Sequence, residues 1–537
     1  MSNREKKQSF LGGAAILASA VAIVKIIGAV YKIPFGNIVG SKGQTYFNVA
    51  YNIYNVLLTI STAGLPLAIS KMTSEAHAQG RENQKRKIFR TAIWLFFALG
   101  LAGSALMYFG ASQLAAFMNE PLGFWPIRAL SPAVFCVCLL ACMRGYTQGQ
   151  GNMTPTAVSQ VLEALCKLVL GLSLAWYFLK LGKGLDIAAG GAILGVTVGT
   201  ILSMVFLIFY LLTHRDQTSS LDRPDSSGAI MRRVLAIGVP ITLSNSAMSI
   251  ITLIDTKNVL GRLRAIPELA DSAATLFGQY QFGMNLINLP PSFVFPVTMS
   301  LIPFAAAALT RRDNAGAGRI ISSAFRIISV LAIPAGVGLS VVGGPALMML
   351  YPNQQADAIA AGPHMRWLGI ACIFICLMNL TNAILQTYGK EKIPIFTVII
   401  GGITKIVLNY ILVGNPAINI YGAPVSTLCC YMVIVALNLI FVWIYSPEKP
   451  RYLELFAKPV IASCAMGAAV WAVYGLLYRS LSGGHSAYGA NALATLVSIC
   501  AGVAVYGVLV VALRILRAED LHSIPKGDKL ARLLRLK

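Results

Sequence analysis

Acidic residues are scarce in this chain, and so is charge of either sign. Of 537 residues only 20 are Asp or Glu against 43 Lys or Arg, and the charged share is 12%, about half of what a soluble domain carries. That excludes an ordinary water-soluble globule. Long polar connections are lacking too: no loop between apolar runs greatly exceeds about 20 residues, which leaves no room for a soluble domain within the chain. No G-x-x-x-x-G-K-[ST] phosphate loop and no G-x-S-x-G nucleophile elbow occurs, so neither a nucleotide site nor a serine hydrolase is expected. Histidine is limited to 5 residues, and all 10 cysteines, Cys136 and Cys138 among them, fall in apolar segments. They read as small core residues rather than disulfides or metal ligands. No cofactor is expected.

What the chain has is apolar length. Hydrophobic residues make up 56% and the mean hydropathy is +0.70. The fold class expected is an all-α polytopic membrane protein with about 14 spans, since a helix of about 20 apolar residues crosses the hydrocarbon layer. The basic stretch Met1–Lys7 precedes an apolar run too long for a signal-peptide core, so that run reads as a retained first span. Sorting the loops alternately puts most Lys and Arg on one side, including the tail from Arg514 to Lys537. The positive-inside rule then predicts two cytoplasmic termini. The net charge of +23 is a topology signal lying against membrane lipid; no nucleic-acid module accompanies it.

An internal repeat is visible. Gln148, Gly151 and Lys167 match Gln386, Gly389 and Lys405 at identical internal spacing, with a proline after each glycine. Asn55 and Pro66 are echoed by Asn285 and Pro296. The repeat predicts an N-lobe at 1–213 (spans 1–6), a cytoplasmic linker at 214–233, a C-lobe at 234–446 (spans 7–12), and spans 13 and 14 with the basic tail at 447–537. Parallel repeats with a site between them are a transporter plan.

A charge well inside a span costs at least about 2.5 kcal/mol on insertion scales and so wants a partner or a wet cavity. Lys25 lies inside the first span, near 10–31, about six residues or roughly 9 Å from its far end at helical rise. Glu163 and Lys167, four apart in span 5, share a helix face and read either as an internal ion pair or as a coupling site; Lys405 is the repeat counterpart of Lys167, with Gly401 where the acid would stand. Asp255, Lys257, Arg262 and Arg264 cluster at the end of span 7. If spans 1 and 7 are equivalent, Lys25 and Lys32 face Lys257 and Arg262, a cationic lining suited to a phosphate or diphosphate; ordinary loop charges are the other reading. Asn48, Asn52, Asn55, Thr59 and Thr62 follow steps of three and four along span 2. They form one polar face, which suits either a water-filled cavity or hydrogen bonding between helices. Gly64–Pro66 and Pro290, Pro291, Pro296 and Pro303 predict helix breaks or bends.

The stretch YKIPFGNIVGSKGQTYFNVAYNIYNVLLTISTAGLPLAISKMTSE (Tyr31 to Glu75), with LIDTKNVLGRL (Leu253 to Leu263) and RGYTQGQGNMTPTAVSQVLEALCK (Arg144 to Lys167), resembles the stage V sporulation protein B group of polysaccharide transporters. That group belongs to the multidrug/oligosaccharidyl-lipid/polysaccharide exporter superfamily. The resemblance implies two six-helix lobes around a central cavity plus two C-terminal helices, and a flippase for undecaprenyl-linked saccharides, with the peptidoglycan precursor lipid II one such cargo. In lipid II flippases charged residues of spans 1, 2 and 7 to 8 line the cavity. Lys25, Asp255, Lys257 and Arg262 stand at such places here, while span 2 carries asparagines instead of arginine. The partners implied are a lipid-linked saccharide, H+ or Na+, and cell-wall synthases, with no covalent catalysis. The rival expectations are a cation-coupled multidrug antiporter of the same fold, which wants an acidic cavity, and a membrane enzyme of polysaccharide assembly, which wants paired catalytic groups on a large outer loop.

Overall fold

The computed structural model describes residues 10–214, 220–446, 448–483 and 486–515. The basic N-terminus and most of the basic tail lie outside the described residues. Among those described, all regular structure is helical. Contacts divide the chain into two compact units, 1–261 and 262–537. The first is built from α1 (Phe10–Thr62), α2 (Leu65–Ala78), α3 (Glu82–Phe109), α4 (Ala111–Phe117), α5 (Phe124–Gly149), α6 (Thr154–Lys180), α7 (Leu185–Thr213) and most of α8 (Ser227–Arg264). The second holds α9 (Ala273–Ile287), α10 (Leu289–Thr310), α11 (Asn314–Leu350), α12 (Gln355–Ala361), α13 (Met365–Thr387), α14 (Lys392–Leu412), α15 (Gly422–Tyr445), α16 (Tyr452–Leu481) and α17 (Ala487–Ala512). The boundaries expected from the repeat describe sequence equivalence and stand as a proposal beside this division by contact.

Among the described residues eleven helices are long and apolar enough to cross a membrane, or 12 if the bent pair within α8 is one span. That tally takes α1 once, although it is two helices meeting at a kink, and the first two of the about 14 expected spans are its two arms. Gly40 sets its corner, with φ 69 and ψ −175, a conformation open to glycine and strained for other residues. The breaks expected at the prolines occur at Ala63–Gly64 and at Asn288, with Pro66 and Pro290 in the first turns of α2 and α10. There the missing proline N–H would have had no intrahelical partner in any case.

Inside a bilayer the packing of helices gains little from the hydrophobic effect and depends on close fit, which favours small residues at crossings. In the first unit Gly191, Gly195 and Gly199 form a stripe on α7 against α6. A Cβ at Gly195 would overlap the backbone of Gly171, and one at Gly199 would press on Cys166 and on the Glu163 carbonyl. In the second unit Gly401 of α14 meets Ile434 and the Cys430 carbonyl of α15 in the same way. The repeat appears at the turns that feed these pairs. Gly151 (φ 81) and Gly389 (φ 69) are both left-handed. Each donates its N–H to the matching glutamine carbonyl, Gln148 or Gln386, at 2.9 Å, a helix ending that glycine supplies without a Cβ penalty.

The connection into α8 is tied to the start of α3. The backbone N–H groups of Asn83 and Gln84 donate to the two Asp222 carboxylate oxygens at 2.9 and 2.8 Å. Gln84 also exchanges hydrogen bonds with Asp225, donating from Nε2 at 2.8 Å and accepting its N–H at 2.7 Å. A carboxylate from a distant segment thus caps the first turn of α3, where free N–H groups and the helix dipole favour negative charge. Desolvation raises the Asp222 pKa, but the hydrogen bonds from Ser220, Asn83 and Gln84 and the Arg81 guanidinium outweigh it and hold the carboxyl below its ordinary range.

Candidate functional site

Lys167 sits about 20 Å along α6 from Thr154 at 1.5 Å per residue, too deep for its short stem to reach either end of the helix. Its ammonium lies over three rings from the two arms of α1: Tyr51 at 4.5 Å, Tyr31 at 5.0 Å and Phe47 at 5.8 Å from their centroids. It also donates to the Tyr51 hydroxyl at 3.4 Å. Residues 47, 51 and 54 fall on one face of the second arm. The rings run in sequence from Tyr31–Phe35 (5.4 Å) through Phe35–Phe47 (4.8 Å) and Phe47–Tyr51 (5.4 Å) to Tyr51–Tyr54 (5.6 Å). Cation–π attraction in a desolvated place is worth about 2 kcal/mol or more, which offsets part of the cost of placing a lysine in an apolar setting.

Glu163 is therefore not the partner of Lys167. Its carboxylate accepts from Arg144 of α5 at 3.1 Å, and Arg144 Nε donates to Ser159 Oγ at 2.9 Å. The i,i+4 spacing places Glu163 and Lys167 on one face of α6, but it describes an isolated helix and takes no account of a guanidinium arriving from the next one. Arg144 was open to detection, since it lies inside the fourth expected span, near 123–146. The corresponding place in the second unit is neutral. Thr397 donates to Asn438 Oδ1 at 2.7 Å, and Asn438 Nδ2 donates to Asn382 and Thr381 at 2.8 and 3.0 Å. At the repeat spacing Asn382 stands for Arg144 and Thr397 for Ser159. Lys405 is half-buried on α14.

Lys25 and Lys32 are both exposed on the first arm of α1. The other expected cations rest on aromatic rings: Lys257 lies 3.7 Å from the centroid of Phe117, and Arg262 lies 4.1 Å from that of Tyr410. Asp255 is 5% exposed on α8. The polar face of span 2 is divided. Asn52 Nδ2 donates to Thr256 Oγ1 at 2.8 Å, Thr59 and Ser249 share a hydrogen bond of 2.9 Å, and Gly64 N–H donates to Thr242 Oγ1 at 3.2 Å, so those positions hold α1 and α2 against α8. Asn55 is half-buried, its carbonyl taking the Thr59 hydroxyl at 2.7 Å, and Asn48 Nδ2 has no partner among the described residues. Among the described residues no group of three metal-ligating side chains occurs.

Comparison with known proteins agrees with this architecture. The chain is 27% identical to the uncharacterized membrane protein YabM of Bacillus subtilis over 97% of its own length and 96% of the relative's. It is 27% identical to the lipid II flippase MurJ of the same organism over 86% and 87%, and 24% identical to its stage V sporulation protein B over 97% and 98%. Among solved structures it matches the lipid II flippase MurJ in an inward closed conformation, with a TM-score of 0.69 and 16% identity over 93% of this chain and 98% of that one. It also matches an inward-facing multidrug resistance MATE family transporter of the MOP superfamily, with a TM-score of 0.63 and 16% identity over 78% and 97%. At 16% identity these structural likenesses give the fold alone. A family model matches residues 10–308, more than half of the chain, and the chain belongs to that family, the polysaccharide biosynthesis proteins.

Proposed function

We propose that this protein is a flippase that moves a saccharide linked to undecaprenyl diphosphate from the cytoplasmic to the outer leaflet of the bacterial cytoplasmic membrane by alternating access, with both termini cytoplasmic. The observation that carries the reading is Lys32. The residue stands on an apolar helix eight residues before the Gly40 corner, part of its side chain at the surface of the structure, and among the described residues no carboxylate lies within salt-bridge distance of it. Cation without acid suits an anionic cargo, and a diphosphate offers several oxygens to charge-assisted hydrogen bonds. Lys25 supplies a second cation on the same arm. The relatives' names support the class, and lipid II is the cargo to test first. The membrane potential acts on cationic groups with about 2.3 kcal/mol per charge per 100 mV, and Asp255 is the acid through which H+ or Na+ would couple.

The test is flipping of a fluorescent undecaprenyl-diphosphate saccharide in proteoliposomes, with wild type compared to Lys32→Ala, Lys25→Ala and Asp255→Asn at matched folded protein. Wild type is expected to accelerate flipping and Lys32→Ala to abolish it. The MATE likeness, which is one of fold, calls for a second arm with organic cations under an imposed ion gradient. Transport in that arm alone would replace the flippase with an antiporter.

A further inference from the structure

A caged lysine beside a second lysine requires explanation, because two like charges in a poorly hydrated region repel and each is costly to hold there. The Lys32 ammonium lies within electrostatic range of that of Lys167, and among the described residues neither has a carboxylate within salt-bridge distance. Next to them is unused hydrogen-bonding capacity. Tyr31 is 1% exposed, yet among the described residues its hydroxyl has no partner; it lies against Gly171, one helical turn beyond Lys167, where an added Cβ would come within 3.5 Å of it. Buried hydroxyls are rarely left without a partner. The repeat sharpens the point: where the second unit has the neutral Asn382, hydrogen-bonded to Asn438, the first has Arg144, which engages Glu163, the one acid on α6.

We infer that Lys167 and Lys32, with the hydroxyls of Tyr31 and Tyr51, form a binding site for the two phosphate groups of a diphosphate, Lys167 leaving the aromatic cage to meet them. The site deepens the flippase reading and rests on it. The rings of Tyr31, Phe47 and Tyr51 hold the ammonium while no anion is present, and the anion then replaces a cation–π contact with charge-assisted hydrogen bonds. A monophosphate has one group to offer and engages one lysine of the two. The site therefore selects lipid carriers by the number of phosphates.

The experiment measures binding of undecaprenyl diphosphate, undecaprenyl phosphate and inorganic pyrophosphate to the full-length protein in nanodiscs. Wild type is compared with Lys167→Gln, Lys167→Arg, Lys32→Gln, Tyr51→Phe and the repeat control Lys405→Gln. Lys167→Gln is expected to weaken the diphosphate lipid about tenfold or more, the scale of one hydrogen bond to a charged group, and to weaken the monophosphate far less. Lys167→Arg should stay within about threefold of wild type because the charge is kept, and Lys405→Gln should match wild type. Pyrophosphate should show the same Lys167 dependence; dependence in the lipid arm alone assigns the site to a diphosphate carried on its prenyl chain, and dependence in neither arm overturns the inference. If Lys167→Gln does not fold, loss of the preference for diphosphate over monophosphate in Lys32→Gln and Tyr51→Phe decides the matter. A wild type with no such preference brings down the cargo reading itself, whereas a preference kept by both wild type and Lys167→Gln brings down only the Lys167 assignment.

Discussion

The Arg144 guanidinium and the Glu163 carboxylate are 3.1 Å apart between α5 and α6, with side chains 15% and 23% exposed. Breaking a buried pair from one side leaves a charge without compensation at a cost of about 3 kcal/mol, while replacing both partners by apolar groups is close to neutral. Glu163→Met should therefore lower stability markedly and Arg144→Met/Glu163→Met should restore most of it. Thermal melting in detergent checks this, and two single variants that add up in the double would contradict it.

The α6–α7 crossing makes a sharper prediction. Gly195→Ala pushes a methyl into backbone that has no side chain to move aside, and overpacking of this kind costs about 1–3 kcal/mol or more. Gly507→Ala, where nothing lies within 4 Å, should leave Tm unchanged. Comparing the two at equal expression separates fit from helix propensity.

The Asp222 clasp gives a pH dependence. A carboxyl held below its ordinary pKa adds stability that is fully present above its unfolded value, about 3.9, and is lost as pH falls through the lower folded value. Protection of the Asn83 and Gln84 amides, taken relative to their intrinsic exchange at each pH, should be constant between about pH 5 and 8 and should fall below about pH 4. Asp222→Asn should show the lowered protection already at pH 7, and equal protection in that variant would remove the clasp.

Asn52 and Thr256 test the meaning of the polar face on span 2. Hydrogen bonds between membrane helices average about 0.6 kcal/mol, so Asn52→Val should cost about that much in stability. If Asn52 instead holds sugar, flipping falls while Tm stays within error.

The sequence made the repeat legible because glycine at a left-handed turn cannot be replaced cheaply: Gly151 and Gly389 mark equivalent helix ends, and Lys167 and Lys405 follow at equal distance. It also showed that charges lie within the spans. It did not show their partners. Spacing along one helix relates Glu163 to Lys167, yet the decisive groups, Arg144 and the Tyr31, Phe47 and Tyr51 rings, arrive from other helices or from the far arm of a kinked one. The rings under Lys257 and Arg262, Phe117 and Tyr410, were out of view for the same reason, since they are distant in the chain. The gap expected between the first two spans, 32–44, contains the Gly40 corner, although hydropathy does not say which residue in it turns.

The crossing of α2 and α8 joins two glycines. A Cβ at Gly64 would overlap the Gly238 carbonyl, and one at Gly238 would press on Leu65. An overpacked contact elsewhere can be relieved by a second substitution that shrinks the opposing residue. At Gly64 and Gly238 neither side has anything smaller to become. A search for second-site suppressors of Gly64→Ala should therefore return no change at position 238 and should find relief only in shifts of the helices themselves.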